Sequence, residues 1–116
     1  MKTSKLTGAA LDWAVAKCEG KDHVVNAPHK YVYEPSTNWA QGGPIIEREQ
    51  ITLRFSENNW VAEWWADNSG MAKNPAQRFC PTRFEVGPTP LVAAMRCFVA
   101  SRLGAEVDVT SELLGV

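Results

Sequence analysis

Residues 89–104 read TPLVAAMRCFVASRLG, and within the apolar run only Arg96, Ser101 and Arg102 are polar. Thr89 has the side chain of an N-cap, and Pro90 occupies the first helical position, where its missing N–H costs nothing. The spacing predicts a helix from Pro90 to Leu103 that stops at Gly104. A helix that is apolar around most of its circumference cannot lie on a surface. It is the expected buried centre of the fold, and the rest of the chain has to cover it.

Upstream lies the clearest β signal. Ile51, Leu53 and Phe55 alternate with Thr52, Arg54 and Ser56, the period of a strand with two unlike faces. Glu57-Asn58-Asn59 reads as a turn, and Trp60 to Ala66 as a second strand, so the two runs predict a hairpin. In that strand Trp60, Ala62, Trp64 and Ala66 share one face, and Val61, Glu63 and Trp65 the other. Aromatics on both faces imply a sheet covered on both sides or one that carries a binding surface. Asp67 to Pro75 reads as a loop. Phe79 to Val86 reads as an irregular strand interrupted by Pro81, Glu106 to Val109 as a short edge strand, and Ser111 to Leu114 as a last helical turn.

Near the start, Leu11, Ala14, Val15 and Cys18 recur at helical spacing. They predict a helix from Gly8 to Glu19 with Thr7 as N-cap and Gly20 as its left-handed terminator. Asp12 and Lys17 are expected to face away from that stripe. Lys30 to Tyr33, between Pro28 and Pro35, reads as a short strand. Glu34 to Pro44 is rich in turn formers and is expected to be an exposed loop.

With 116 residues, the chain is long enough for one domain with a core that needs no metal or disulfide. Hydrophobic residues make up 45% and charged residues 22%, which argues against disorder. A formal net charge of −1 argues against an extended nucleic-acid partner, which would call for a basic excess. Cys18, Cys80 and Cys97 are far apart and odd in number, so a disulfide framework is not expected. Asp12 and Lys17 interrupt the first apolar run, so neither a leader nor a membrane span is expected there.

Residues 39–49, WAQGGPIIERE, are the most site-like stretch. Gly42 and Gly43 permit positive φ and close backbone approach, as in an anion-binding nest. However, the run lacks the Lys-Ser/Thr of a phosphate loop, and a strand is expected to follow it. The alternative is a turn that feeds Ile45 and Ile46 into the core. Glu47 and Glu49 would share one face of an extended segment, with Arg48 on the other. Trp39, Trp60, Trp64 and Trp65 offer flat surfaces for stacking or mass for a core. Arg48, Arg54, Arg78 and Arg83 offer charge-assisted contacts to phosphate. His23 and His29 have no zinc spacing, and Cys80 has no partner base in sequence, so no metal, cofactor or catalytic residue is assigned.

LTGAALDWAVAKCEG, NWAQGGPIIERE and GPTPLVAAMRCFVASRLG followed by VTSELL, in this order, resemble the NinX family of small phage and prophage proteins. The resemblance runs from Leu6 to Leu114 and brings no catalytic residue or cofactor with it. It implies a phage accessory protein acting in the cytoplasm of the bacterial host. The expected fold is α+β: a small, mostly antiparallel sheet packed against a buried C-terminal helix, with an amphipathic N-terminal helix beside it. The expected function is stoichiometric binding of a small nucleotide or a host protein, with Trp39, Gln41, Gly42, Gly43, Glu47 and Arg48 as ligand-binding residues. A homodimer or higher oligomer is expected, since large apolar patches seldom stay uncovered. Two alternatives are a nucleotide- or phosphodiester-processing enzyme with Glu47 or Glu49 as base, and a structural adaptor without a ligand site.

Overall fold

The computed structural model describes residues 2–20, 33–65 and 82–107. The expectations for Lys30 to Val32, for the 67–75 loop, for Cys80 and both histidines, and for 111–114 lie outside these residues. Among these residues, three α-helices, α1 (Gly8–Cys18), α2 (Trp39–Glu49) and α3 (Pro90–Leu103), accompany three strands, β1 (Thr52–Ser56), β2 (Asn59–Trp64) and β3 (Arg83–Gly87). The strands form one antiparallel sheet in the order β1-β2-β3. The fold is α+β, with α3 packed on the sheet as expected.

α3 forms where the sequence puts it. The Thr89 hydroxyl oxygen accepts the Val92 N–H at 3.1 Å, and nine residues from Leu91 to Ala100 are buried. The sheet covers one side of α3, while α1 and α2 pack against other sides. Leu53, Trp60, Ala62 and Trp64 belong to the core shared with α3. Arg96 is the one charged residue in the middle of the helix. Its Nε donates to the Leu6 carbonyl at 2.7 Å and its Nη1 to the Val86 carbonyl at 2.8 Å, so the guanidinium ties the N-terminal segment and β3 to α3.

The hairpin closes through Glu57 and Asn58, both at positive φ, with Ser56 opposite Asn59. That is a two-residue turn of the type whose twist suits a hairpin. Glu106 makes an isolated antiparallel bridge with Lys2, and the Thr3 N–H donates to the Ala105 carbonyl at 2.8 Å, so the chain returns to its own beginning.

Two expectations are corrected. Asp12 does not face away from the core: Leu11 to Ala16 are all buried, because the Pro35–Ser36 turn packs over that side of α1. Residues 39–49 are not a loop leading into a strand but helix α2. Relative to alanine, its two glycines each disfavour a helix by about 1 kcal/mol and its proline by about 3 kcal/mol. Tertiary structure overrides that preference. Gly42, Ile45, Ile46 and Glu49 fall at helical spacing and form the inward face. Asn38 caps the helix, its Oδ1 accepting the Ala40 N–H at 2.9 Å. Gln50 ends it at φ 55°, with the Gln50 and Ile51 N–H groups donating to the Glu47 and Ile46 carbonyls, a Schellman closure without glycine.

The two glycines have different tasks. A Cβ on Gly42 would collide with the Pro35 carbonyl and lie 2.7 Å from Leu91 Cδ2, so α2 approaches the start of α3 more closely than any side chain allows. A Cβ on Gly43 would meet only the Trp39 ring, at 3.8 Å, and its φ is not positive. Gly42→Ala is therefore expected to lower stability by about 2 kcal/mol or more. Gly43→Ala should hold stability or raise it by about 0.5–1 kcal/mol. Urea denaturation of both variants checks the pair, and a destabilised Gly43→Ala would contradict this helix geometry.

Candidate functional site

At the amino ends of α2 and α3 the surface is indented by a cleft of about 240 Å³, lined by Ser36, Thr37, Trp39, Thr89, Pro90, Leu91 and Val92. Gly42 makes this possible, because its close approach brings the two helix starts together. Trp39 stands at the cleft with 54% of its surface exposed, unusual for a residue this large. Behind the cleft, the Ser36 N–H donates to Asp12 Oδ1 at 2.9 Å and fixes the turn that forms one wall.

The residues singled out in 39–49 do not converge. Nine residues separate Trp39 from Arg48, which in a helix is about 13 Å of rise and half a turn of rotation. Trp39 lines the cleft and Arg48 does not. Gln41 is half-buried, its Oε1 accepting the Glu34 N–H at 2.6 Å, which braces the turn before α2. Gly42 is buried and serves the packing of α2, Gly43 is half-buried with room for a side chain, and Glu47 is exposed.

Arg48 belongs to an ionic network at the opposite end of the helices. Its Nη1 and Nη2 donate to the two Glu19 carboxylate oxygens at 2.8 and 3.0 Å, and its Nε donates to Glu49 Oε2 at 2.9 Å. Arg102 donates to the other Glu49 oxygen at 2.7 Å. Both guanidinium groups lie over the Phe98 ring, at 5.6 and 5.1 Å from its centre. Glu49, 8% exposed, thus holds two cations over a buried aromatic and ties the carboxyl ends of α1, α2 and α3 together. Elsewhere, Arg54 pairs with Glu63 across the β1–β2 ladder at 3.4 Å.

The described thiols are inert. Burial pushes Cys97 up to about 12 and Cys18 up to about 11, so both are protonated at neutral pH. Burial also raises Asp12, against the stabilising influence of Ser36, and the charge of Glu34 raises it further.

The cleft residues that sequence reading missed are Ser36, Thr37, Leu91 and Val92, with Thr89 and Pro90 read only as a helix start. One linear signal was present: Ser36-Thr37-Asn38 precedes the inward positions 42, 45, 46 and 49 in the manner of a cap before a helical stripe. Nothing linear joins Ser36 to Leu91.

Two expectations about stability follow. Arg48→Ala should cost about 1 kcal/mol, the scale of a half-exposed guanidinium paired and stacked on a ring. Glu49→Ala should cost about 3 kcal/mol, because it leaves two cations facing each other with no anion between them. Denaturant midpoints would rank the two, and wild-type stability in Arg48→Ala would mean that its guanidinium is not a fastener of the fold. Asp12 has a raised folded-state pKa, so the folded protein binds more protons than the unfolded chain between the unfolded value, about 3.9, and the folded one. Its contribution therefore becomes unfavourable as pH rises through that window. Asp12→Asn keeps an oxygen for the Ser36 N–H and should melt no lower than wild type at pH 7. The difference should vanish below about pH 3.9, where both forms are neutral. A variant that is less stable at pH 7 but not at low pH would reverse the sign.

No curated protein matches the chain. The family model described as Bacteriophage P22, NinX, matches residues 2–102, which among the described residues include α1, α2, the three strands, α3 as far as Arg102 and every residue of the cleft. With nearly the whole chain under that match, the protein belongs to the phage P22 NinX family.

Proposed function

We propose that this phage protein acts by stoichiometric binding in the cytoplasm of the bacterial host, holding a small nucleotide in the cleft beside Trp39. The observation that carries the reading is the exposed indole of Trp39 beside a cleft with Pro90, Leu91 and Val92 in its lining. A large aromatic left in water beside an apolar recess costs solvation and is offset when a flat ligand stacks on it. The recess lies between helix starts locked by Gly42 and the Asn38 and Thr89 caps, so it is formed before any ligand arrives. Preformed sites lose little ordering entropy on binding.

A protein partner is favoured by a separate observation. On the sheet face away from α3, Phe84, beside Glu63, is 61% exposed, and Val86, opposite the buried Val61, is partly exposed. A second copy of the chain or a host protein would cover that face.

Native mass spectrometry of the protein purified from its bacterial host reads both features at once. A retained small molecule, released unchanged on denaturation and absent from Trp39→Ala, is the expected result, together with a dimer or larger assembly. Trp39→Ala should change stability by no more than about 0.5 kcal/mol, since the side chain is exposed. Release of a chemically converted product would point to turnover. A bare monomer, with and without added host nucleotides, would sink the reading.

A further inference from the structure

β1 lies at the edge of the sheet, and the hairpin fixes which of its backbone groups face outward. Ser56 and Asn59 close the two-residue turn, so they exchange both of their hydrogen bonds. Opposed residues of an antiparallel ladder alternate between bonded and non-bonded pairs. Arg54 therefore bonds to Val61 and Thr52 to Glu63, while Leu53 and Phe55 turn their N–H and C=O groups away from β2. Those groups have no partner among the described residues. The Phe55 side chain is 60% exposed, its ring edge-on to Trp60 at 5.4 Å.

The far edge of the sheet differs. Continued across β2, the same alternation turns Phe84 and Val86 outward on β3. There the Val86 carbonyl already accepts from Arg96 Nη1 at 2.8 Å, and α3 lies close against Gly87. Among the described residues β1 has no such cover, and it has none of the devices that keep sheet edges apart. It holds no proline, its ladder with β2 runs without a bulge, and its one charge, Arg54, is paired with Glu63 at 3.4 Å.

What fits such an edge is another strand, and this one suits a copy of itself about a two-fold axis. With the axis at Phe55, each Phe55 exchanges both bonds with its copy. The row Trp60–Phe55 then continues into Phe55 and Trp60 of the second copy, as a stabilising aromatic pair across the strands. Arg54 stands opposite Ser56 of the second copy. An axis at Arg54 would instead set two guanidinium groups against each other. An axis at Leu53 would bring Phe55 to Ile51, whose N–H is already given to the Ile46 carbonyl.

We infer that two copies of the chain associate edge to edge through β1, antiparallel about Phe55, joining their sheets into one. This rests on the self-association in the binding reading above and adds where the copies meet, leaving the Phe84 face open. Five-residue strands bury less than a standard interface, so the dimer is weak and reversible.

The test is sedimentation of the full chain from about 10 μM to about 1 mM, the range of weak association, with amide hydrogen exchange read residue by residue over the same range. Dimer should grow with concentration. The Phe55 amide, free in the monomer, should slow in step with it, while the equally outward Phe84 amide should not. Phe55→Pro removes an N–H that the monomer does not use. Phe55→Lys sets two cations against each other on the axis and carries the test should the proline disturb the strand. Each should weaken the dimer at least about tenfold, the scale of one hydrogen bond, and Phe84→Ser should leave it unchanged. A dimer that survives Phe55→Lys, that is lost in Phe84→Ser, or that forms without slowing the Phe55 amide overturns the inference while self-association stands. A monomer at about 1 mM overturns both, and ligand binding at the cleft is still measured separately.

Discussion

The whole structure depends on the burial of one helix from several sides. α3 presents apolar side chains around its circumference, and no single layer can cover it. The sheet takes one side and α1 and α2 take others. At roughly 25 cal/mol per Å² of apolar surface removed from water, this burial is the main force available to a chain of this length. The polar groups α3 carries are satisfied where they stand. Arg96 donates to two carbonyls from other segments, and Ser101 returns its hydroxyl to the Phe98 carbonyl at 2.6 Å. Arg102 lies over Phe98 beside Arg48, with Glu49 between them.

That demand for cover explains why α2 is a helix against its own local preference. Gly42, Ile45, Ile46 and Glu49 all face inward, and only helical geometry puts these four on one side. Gly42 lets the backbone of α2 reach Pro35 and Leu91 without a side chain between them. Pro44 forfeits one intrahelical bond, to the carbonyl of Ala40, a residue exposed at the start of the helix. The weakness of the segment and the closeness of its packing have one origin: residues small or stiff enough to fit beside α3 are poor helix formers.

The two ends of the helical layer are built differently. At the carboxyl ends, Glu19, Arg48, Glu49 and Arg102 tie three helices around Phe98. At the amino ends, α2 and α3 begin side by side with capped starts, and the indole of Trp39 is exposed beside them. The ion pairs among the helices are concentrated at the carboxyl ends.

Local patterns in the sequence determined much of the architecture. The apolar run behind Thr89-Pro90, the alternation in 51–56, the faces of β2 and the stripe in α1 are local patterns, and each describes one element alone. The NinX motifs added the family. Where the sequence misled, the deciding contact joined residues distant along the chain. Glycine and proline in 39–49 state a local preference, which Gly42 against Leu91 overrides. Asp12 reads as a surface carboxylate until Ser36, twenty-four residues on, donates to it. Arg48 reads as a free cation until Glu19 and Phe98 arrive from other helices. The cleft is the extreme case, since its two walls are separated by more than fifty positions and meet only because α2 docks beside the first turn of α3. Periodicity determined which segments must be buried; only tertiary packing decided which polar groups were left without partners, because that depends on what each group meets after the elements have docked.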